Sequence, residues 1–267
     1  MSSEALVPSV GVRRSADAAR TDRYFLGVSI FLFTVVLIGF SRTLFLRPLF
    51  QVPAVPWYVY IHGSVMTMWF ALLVAQTSLV AAHRTDVHRR LGILGAVLAV
   101  AVVILGIATT LGTPAHFKAG GATSAGTPNP PQQVEMLIMF GNIGRMMLFP
   151  ILVATALGMR RRPEVHKRLM LLASMAIIAP AMARIQGFAE VGGISLSPSV
   201  GAALLHIIPA IIVFLLPLTL VGHDLLTTRR LHRATVWGVL AYFVVGFVMN
   251  VVVPVTALGR TVWNALL

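Results

Sequence analysis

Residues 41–92 read SRTLFLRPLFQVPAVPWYVYIHGSVMTMWFALLVAQTSLVAAHRTDVHRRLG. Three polar marks stand on this apolar background. Arg42 lies near the end of one apolar run, His62 early in the next, and His88 in the basic turn that follows. The chain then repeats the series, with Arg184 in MARIQGF, His206 in LLHII and His232 in LHRAT. The first spacing is 20 residues (62 − 42) in one copy and 22 (206 − 184) in the other. The second is 26 in both (88 − 62 and 232 − 206). Such spacing is what an internal duplication leaves behind.

Of the 267 residues 57% are hydrophobic and 11% charged, where a soluble domain carries about a quarter charged residues. The apolar residues fall in long runs separated by short basic turns, the pattern of a polytopic membrane protein. Seven runs are long enough to cross about 30 Å of hydrocarbon. They cover residues 24–45, 57–82, 91–111, 134–158, 169–188, 200–222 and 235–255. The expected fold is therefore all-α with seven transmembrane helices in a parallel 3+1+3 repeat. Residues 1–23 form a disordered cytoplasmic tail and 24–111 the first triplet. An extracytoplasmic loop (112–133) and a linker helix (134–158) follow. The second triplet occupies 159–255, and 256–267 are a C-terminal tail.

Lysine and arginine set the orientation. Fifteen lie on the side of the N-terminus and of the turns at 84–90, 160–168 and 229–233, against Arg47, Lys118 and Arg260 on the other. This puts the N-terminus in the cytoplasm and the C-terminus outside, in a bacterial-type inner membrane. The net charge of +13 then faces anionic headgroups, and nucleic acid is not an expected partner. Cysteine is absent, which excludes disulfides, thiolate metal sites and haem attached through the chain's own thiols.

Three arginines fall inside the runs, where a charge is costly unless it is paired or serves a ligand. Arg42 and Arg184 sit near outer ends. Arg145 is deeper, one helical turn from Asn142, and Glu135 is its nearest acid along the same helix. It reads either as half of an Arg145–Glu135 fastening pair or as an anion site. His62 and His206 hold matched depths in the two copies, and His62 shares a helical stripe with Met66, Trp69 and Gln76. Either histidine alone reads as a packing residue. Together they read as ligands of a haem b or another transition metal held between the repeats. Arg42, Arg184 and Arg145 would then neutralise propionates. His88, His166 and His232 form an inner set beside Asp86, Glu164 and Asp224. They read as headgroup anchors, or as a second metal site, with His88 paired to His232 or all three together. Of the twelve methionines all but Met1 and Met159 sit within the runs, as packing rather than as a copper site. No hydrolase nucleophile motif, phosphate loop or HExxH is present.

The segment VHKRLMLLAS, with Arg184, His206 and LHRAT after it, resembles a family of small four-helix bacterial membrane proteins implicated in haem–copper oxidase assembly. The four-histidine layout is similar to that of transmembrane cytochromes b carrying two haems. These resemblances imply haem or metal binding for electron transfer or oxidase assembly, with quinone or a respiratory oxidase as partner. The parallel 3+1+3 plan is also how the SWEET sugar transporters are built, so an anion transporter is the rival expectation. A metal-dependent membrane hydrolase using the inner histidines is the third. The charge asymmetry predicts that reporter fusions at 84–90, 160–168 and 229–233 all report a cytoplasmic position, and one external turn would overturn the seven-span orientation.

Overall fold

A computed structural model describes residues 10–50, 57–119, 131–191 and 198–267, and side chains at 19–50, 57–119, 131–185 and 208–267. Among the described residues every regular element is helical. Helix α1 covers Val10–Phe40 and runs into a π-helical stretch, Ser41–Phe45, before the short α2, Arg47–Phe50. Then come α3 (Trp57–Ala81), α4 (Thr85–Leu111) and the one-and-a-half-turn α5 (Thr113–Lys118). Helix α6 is Gln132–Gly158, α7 Pro163–Ala176, α8 Ala179–Val191 and α9 Pro198–Thr228. Helix α10 (Arg233–Phe247) passes through a second π-helical stretch, Val248–Val252, into α11 (Val253–Val255), and α12 (Ala257–Leu266) ends the chain.

Six of these stretches are long and apolar enough to cross a membrane: 19–45, 57–81, 85–111, 132–158, 208–228 and 233–255. Their exposed faces are as apolar as their buried ones. On α4 the outward stripe is Ile93, Leu94, Val97, Val100, Ile104, Ile107 and Leu111, and the inward stripe Leu98, Ala99, Val102, Gly106 and Thr110. An exposed apolar belt on several helices belongs against hydrocarbon. This is a helical, multi-pass membrane protein.

Three expectations change. Residues 10–23, expected to be an irregular tail, lie in α1, and residues 1–9 are outside the described ones. The tail at 256–267 folds into α12, whose Trp263 is 1% exposed and packs with Phe117, Met136, Met139 and Phe140. The fifth run is not one rod: α7 and α8 meet at Ile177–Ile178 with a bend of 45°. Pro180 explains the break, since it has no N–H for the carbonyl of Ala176 and its ring clashes with that carbonyl.

The broken pair stands at the centre. Helix α1 packs on α3, α7, α8 and α9; α6 packs on α4, α7 and α10; and α10 closes against α7 and α9. Hence α7 is buried nearly all round, from Arg168 through Ile178. It is rich in small residues, and Ser174 accepts a hydrogen bond from the Trp69 indole of α3 at 3.1 Å. The backbones of two spans come very close at Gly39 of α1, where a Cβ would lie 2.2 Å from the backbone oxygen of Ala181. Gly63 on α3 is also crowded, but by the flexible tip of Leu44 at 2.9 Å. Gly39→Ala should therefore destabilise the protein by about 1–3 kcal/mol, the range for overpacking, while Gly63→Ala is tolerated with a smaller loss. Thermal unfolding of both variants in detergent checks the contrast.

Candidate functional site

A cavity of about 1050 Å³ opens between α6, α8, α9 and α10. Three features border it: the break at Pro180 in the central span, Pro209 inside α9, and the π-helical stretch that follows α10. Its walls are apolar: Val134, Leu137, Leu148, Met182, Val213, Phe214, Phe243 and Phe247 among others. The polar side chains in the lining are Asn142, Arg145, Tyr242 and Asn250.

Among the described residues Arg145 is the only charged side chain lining the cavity. Its Nη1 donates to Oδ1 of Asn142 at 2.8 Å, the neighbour that helical spacing places one turn back. The expected pair with Glu135 does not form: ten residues of helix separate them, and no ion pair among the described residues includes Arg145. Tyr242 donates to the carbonyl of Val213 at 3.1 Å, and Asn250 donates to the carbonyl of Gly246 at 2.8 Å. These bonds fix the two side chains without neutralising the arginine. A guanidinium carries five N–H donors in a planar fork, so most of this one is left for a ligand.

Arg42, Arg184 and His62 belong to another place, around the outer ends of α1, α3 and α8. None of them lines the cavity. The Arg42 guanidinium lies over the Phe50 ring, 5.5 Å from its centroid. Arg184 lies over Phe40 at 4.5 Å and donates to the carbonyl of Pro180 at 2.9 Å. His62 is within electrostatic reach of Arg184, and its buried Nδ1 has no hydrogen-bond partner among the described residues. The side chain of His206 lies outside the described ones. Gly39 and Ala181 bring α1 and α8 into backbone contact. A porphyrin finds no slot at that contact, so the residues there do not fit a haem held between α1 and α8.

The inner histidines do not form a three-ligand site. His88 and His166 approach to 6.3 Å between ring centroids, but each has a different polar neighbour. With the Gln76 amide oriented to satisfy both its ends, its NH2 donates to Nδ1 of His88 at 2.6 Å and its oxygen accepts from the Gly92 N–H. The ring of His166 meets the carbonyl of Ala156 through Nδ1 at 2.9 Å. His232 pairs with neither; it caps α10, its Nδ1 accepting from the Ala234 N–H at 3.1 Å. Burial, with Arg168 nearby, holds this imidazole below the usual histidine range, in the neutral form that can accept. Among the described residues no three His, Asp or Glu side chains gather as a metal would need.

The acids turn instead to Arg168, which is 2% exposed, against 0% for Asp224. Nη2 of Arg168 donates to Oδ1 of Asp224 at 2.6 Å, and Nη1 reaches the Glu164 carboxylate. The other oxygen of Asp224 accepts from the backbone N–H of His232 and from the hydroxyl of Thr235. One carboxylate thus ties α7, α9 and α10 together. The sequence signal for it was Asp224 itself, an acid at the end of the apolar run LVGHDLL, which demands a cation. Beside it His223 is 7% exposed, stacks on Tyr24 at 4.3 Å, and has both ring nitrogens without a hydrogen bond.

The chain matches no known protein family, no curated protein and no solved structure. Its chemistry is read from these residues. Removing one partner of a buried ion pair strands the other charge and costs about 3–5 kcal/mol. Asp224→Ala should show a loss of that size in detergent unfolding, whereas Asp86→Ala, on an exposed turn, should change little.

Proposed function

We propose that this protein binds an anionic small molecule in the cavity around Arg145 and carries it across the membrane. The observation that carries this reading is a guanidinium set in an apolar cavity with an amide as its hydrogen-bond partner and no carboxylate. A charge in that setting is costly, and a ligand of opposite sign offsets the cost through charge-assisted bonds to the free N–H groups. The broken central span supports movement, since a helix already interrupted at Pro180 can bend there without losing a regular hydrogen bond.

The architecture we infer for this role has seven spans in a parallel 3+1+3 arrangement. It places the N-terminus in the cytoplasm and the C-terminus outside a bacterial-type inner membrane. Counting α7 and α8 as one bent span supports the number seven. The close pair Gly39–Ala181 supports the repeat. Aligning Arg42 with Arg184 pairs position 39 with 181, three residues before each arginine, and equivalent residues meet on the axis of a two-fold.

A haem or other metal centre, serving electron transfer or oxidase assembly, is the second reading. The buried, unpartnered Nδ1 of His62 favours it, because neutral imidazole nitrogens are common metal ligands. The closed Gly39–Ala181 contact and the separation of Arg145 from His62 favour the anion reading over it.

Benzoate at millimolar concentration should raise the melting temperature of detergent-purified protein, as any ligand selective for the folded state does. Neutral benzamide should not, and Arg145→Gln should remove the benzoate response. Colourless protein accompanies that result. A haem absorption band that disappears in His62→Ala, with no response to benzoate, would instead establish the second reading.

A further inference from the structure

The proportion of polar to apolar wall in the Arg145 cavity says more about its ligand than the charge alone. A small hydrated anion gives up its water to few partners here. Arg145 and Asn142 occupy one patch of α6, while the rest of the lining is mostly aliphatic and aromatic. The volume, about 1050 Å³, lies at the upper end of the range of about 300–1,000 Å³ for small-molecule pockets. An acetate-sized ion would leave most of it wet against apolar walls, which is unfavourable.

The mouth adds a second constraint. Lining residues Leu137, Phe214, Phe247 and Val251 are also exposed, each by 46% or more. They come from stretches that cross the membrane, so the rim they form lies against hydrocarbon rather than water. A ligand can therefore keep an apolar tail in lipid while its head reaches Arg145.

Resting on the anion-binding reading above, we infer that the ligand is a single-chain amphiphile with a monoanionic, carboxylate-type head, taken up sideways from the bilayer. One arginine without a second cation suits a single charge, and the planar guanidinium fork suits a carboxylate bound through both oxygens. Asn142 holds that fork in place through its 2.8 Å bond. The chain lies along Val213, Phe214 and Phe243, where each methylene removed from water strengthens binding about fourfold.

The test uses the full chain in phosphatidylcholine nanodiscs, with empty nanodiscs subtracted, and radiolabelled acetate, laurate and methyl laurate as probes. Laurate should bind at least about a hundredfold more tightly than acetate, from the methylene gain. It should also exceed methyl laurate about tenfold or more, from the charge-assisted head contact. Arg145→Gln should bring laurate down to the level of the ester. Ala210→Phe, which narrows the tail region of the cavity, should weaken laurate and leave acetate unchanged. If acetate binds as tightly as laurate and Arg145→Gln abolishes both, the anion reading stands and the amphiphile is overturned. If ester and acid bind alike, or if no probe binds, both fail. Binding of laurate that is displaced by phosphatidylglycerol but unaffected by Ala210→Phe would make the site a phospholipid headgroup contact and would also overturn this inference.

Discussion

The central span is enclosed by its neighbours, and the rest of the structure follows from that. A helix packed on every side cannot send a polar group to water or to headgroups, so each must be satisfied by its neighbours. At the inner end this is done by Asp224, which takes Arg168 from the central span and the start of α10 in the same carboxylate. In the middle Trp69 and Ser174 meet. Further along, Pro180 bends the span, and just past the bend the centre narrows until Gly39 and Ala181 touch. The cavity lies on the far side of the bend. Tight packing on one flank and open volume on the other are two sides of one kinked helix.

Polar residues consequently divide into two classes by depth. At the end of the bundle that holds Arg168, Glu164 and Asp224 the charges are paired and structural, with His223 beside them the exception. Toward the opposite face Arg145 has an amide for company and His62 has an unfilled Nδ1. Arg145, with an amide and no carboxylate beside it, therefore keeps binding capacity that the Arg168 network has used up.

Much of the fold was legible because membrane helices announce themselves by length and by the charges between them. The stripe of Met66 and Trp69 on α3 faces the interior as its spacing implied, and the Arg145–Asn142 contact follows from a three-residue step. The bend at Ile177–Ile178 was not legible, because Pro180 inside an apolar run permits a kink without requiring one. Arg168 was hidden by its company: in VHKRLM it looks like one more headgroup cation, and only the fold shows it buried against a carboxylate 56 residues later. Tyr242 and Asn250 were unreadable for a different reason. Each is an ordinary residue in its own helix, and the site exists only where α6, α9 and α10 converge. The inner histidines misled through shared spacing: each occupies the same place in a turn, yet one is held by Gln76 and another caps a helix.

The meeting of α1 with α8 also bears on how the chain is made. Gly39 is synthesised 142 residues (181 − 39) before Ala181, and Tyr24 waits even longer for the hydroxyl of Thr219. At a synthesis rate of about 5–20 residues per second, roughly 7–28 s pass between the two sides of the Gly39–Ala181 contact. Helix α3 covers one flank during that interval. Biogenesis of this protein thus lays down the flank of α1 and α3 first, brings in the central segment after it, and closes α9 and α10 around that segment last.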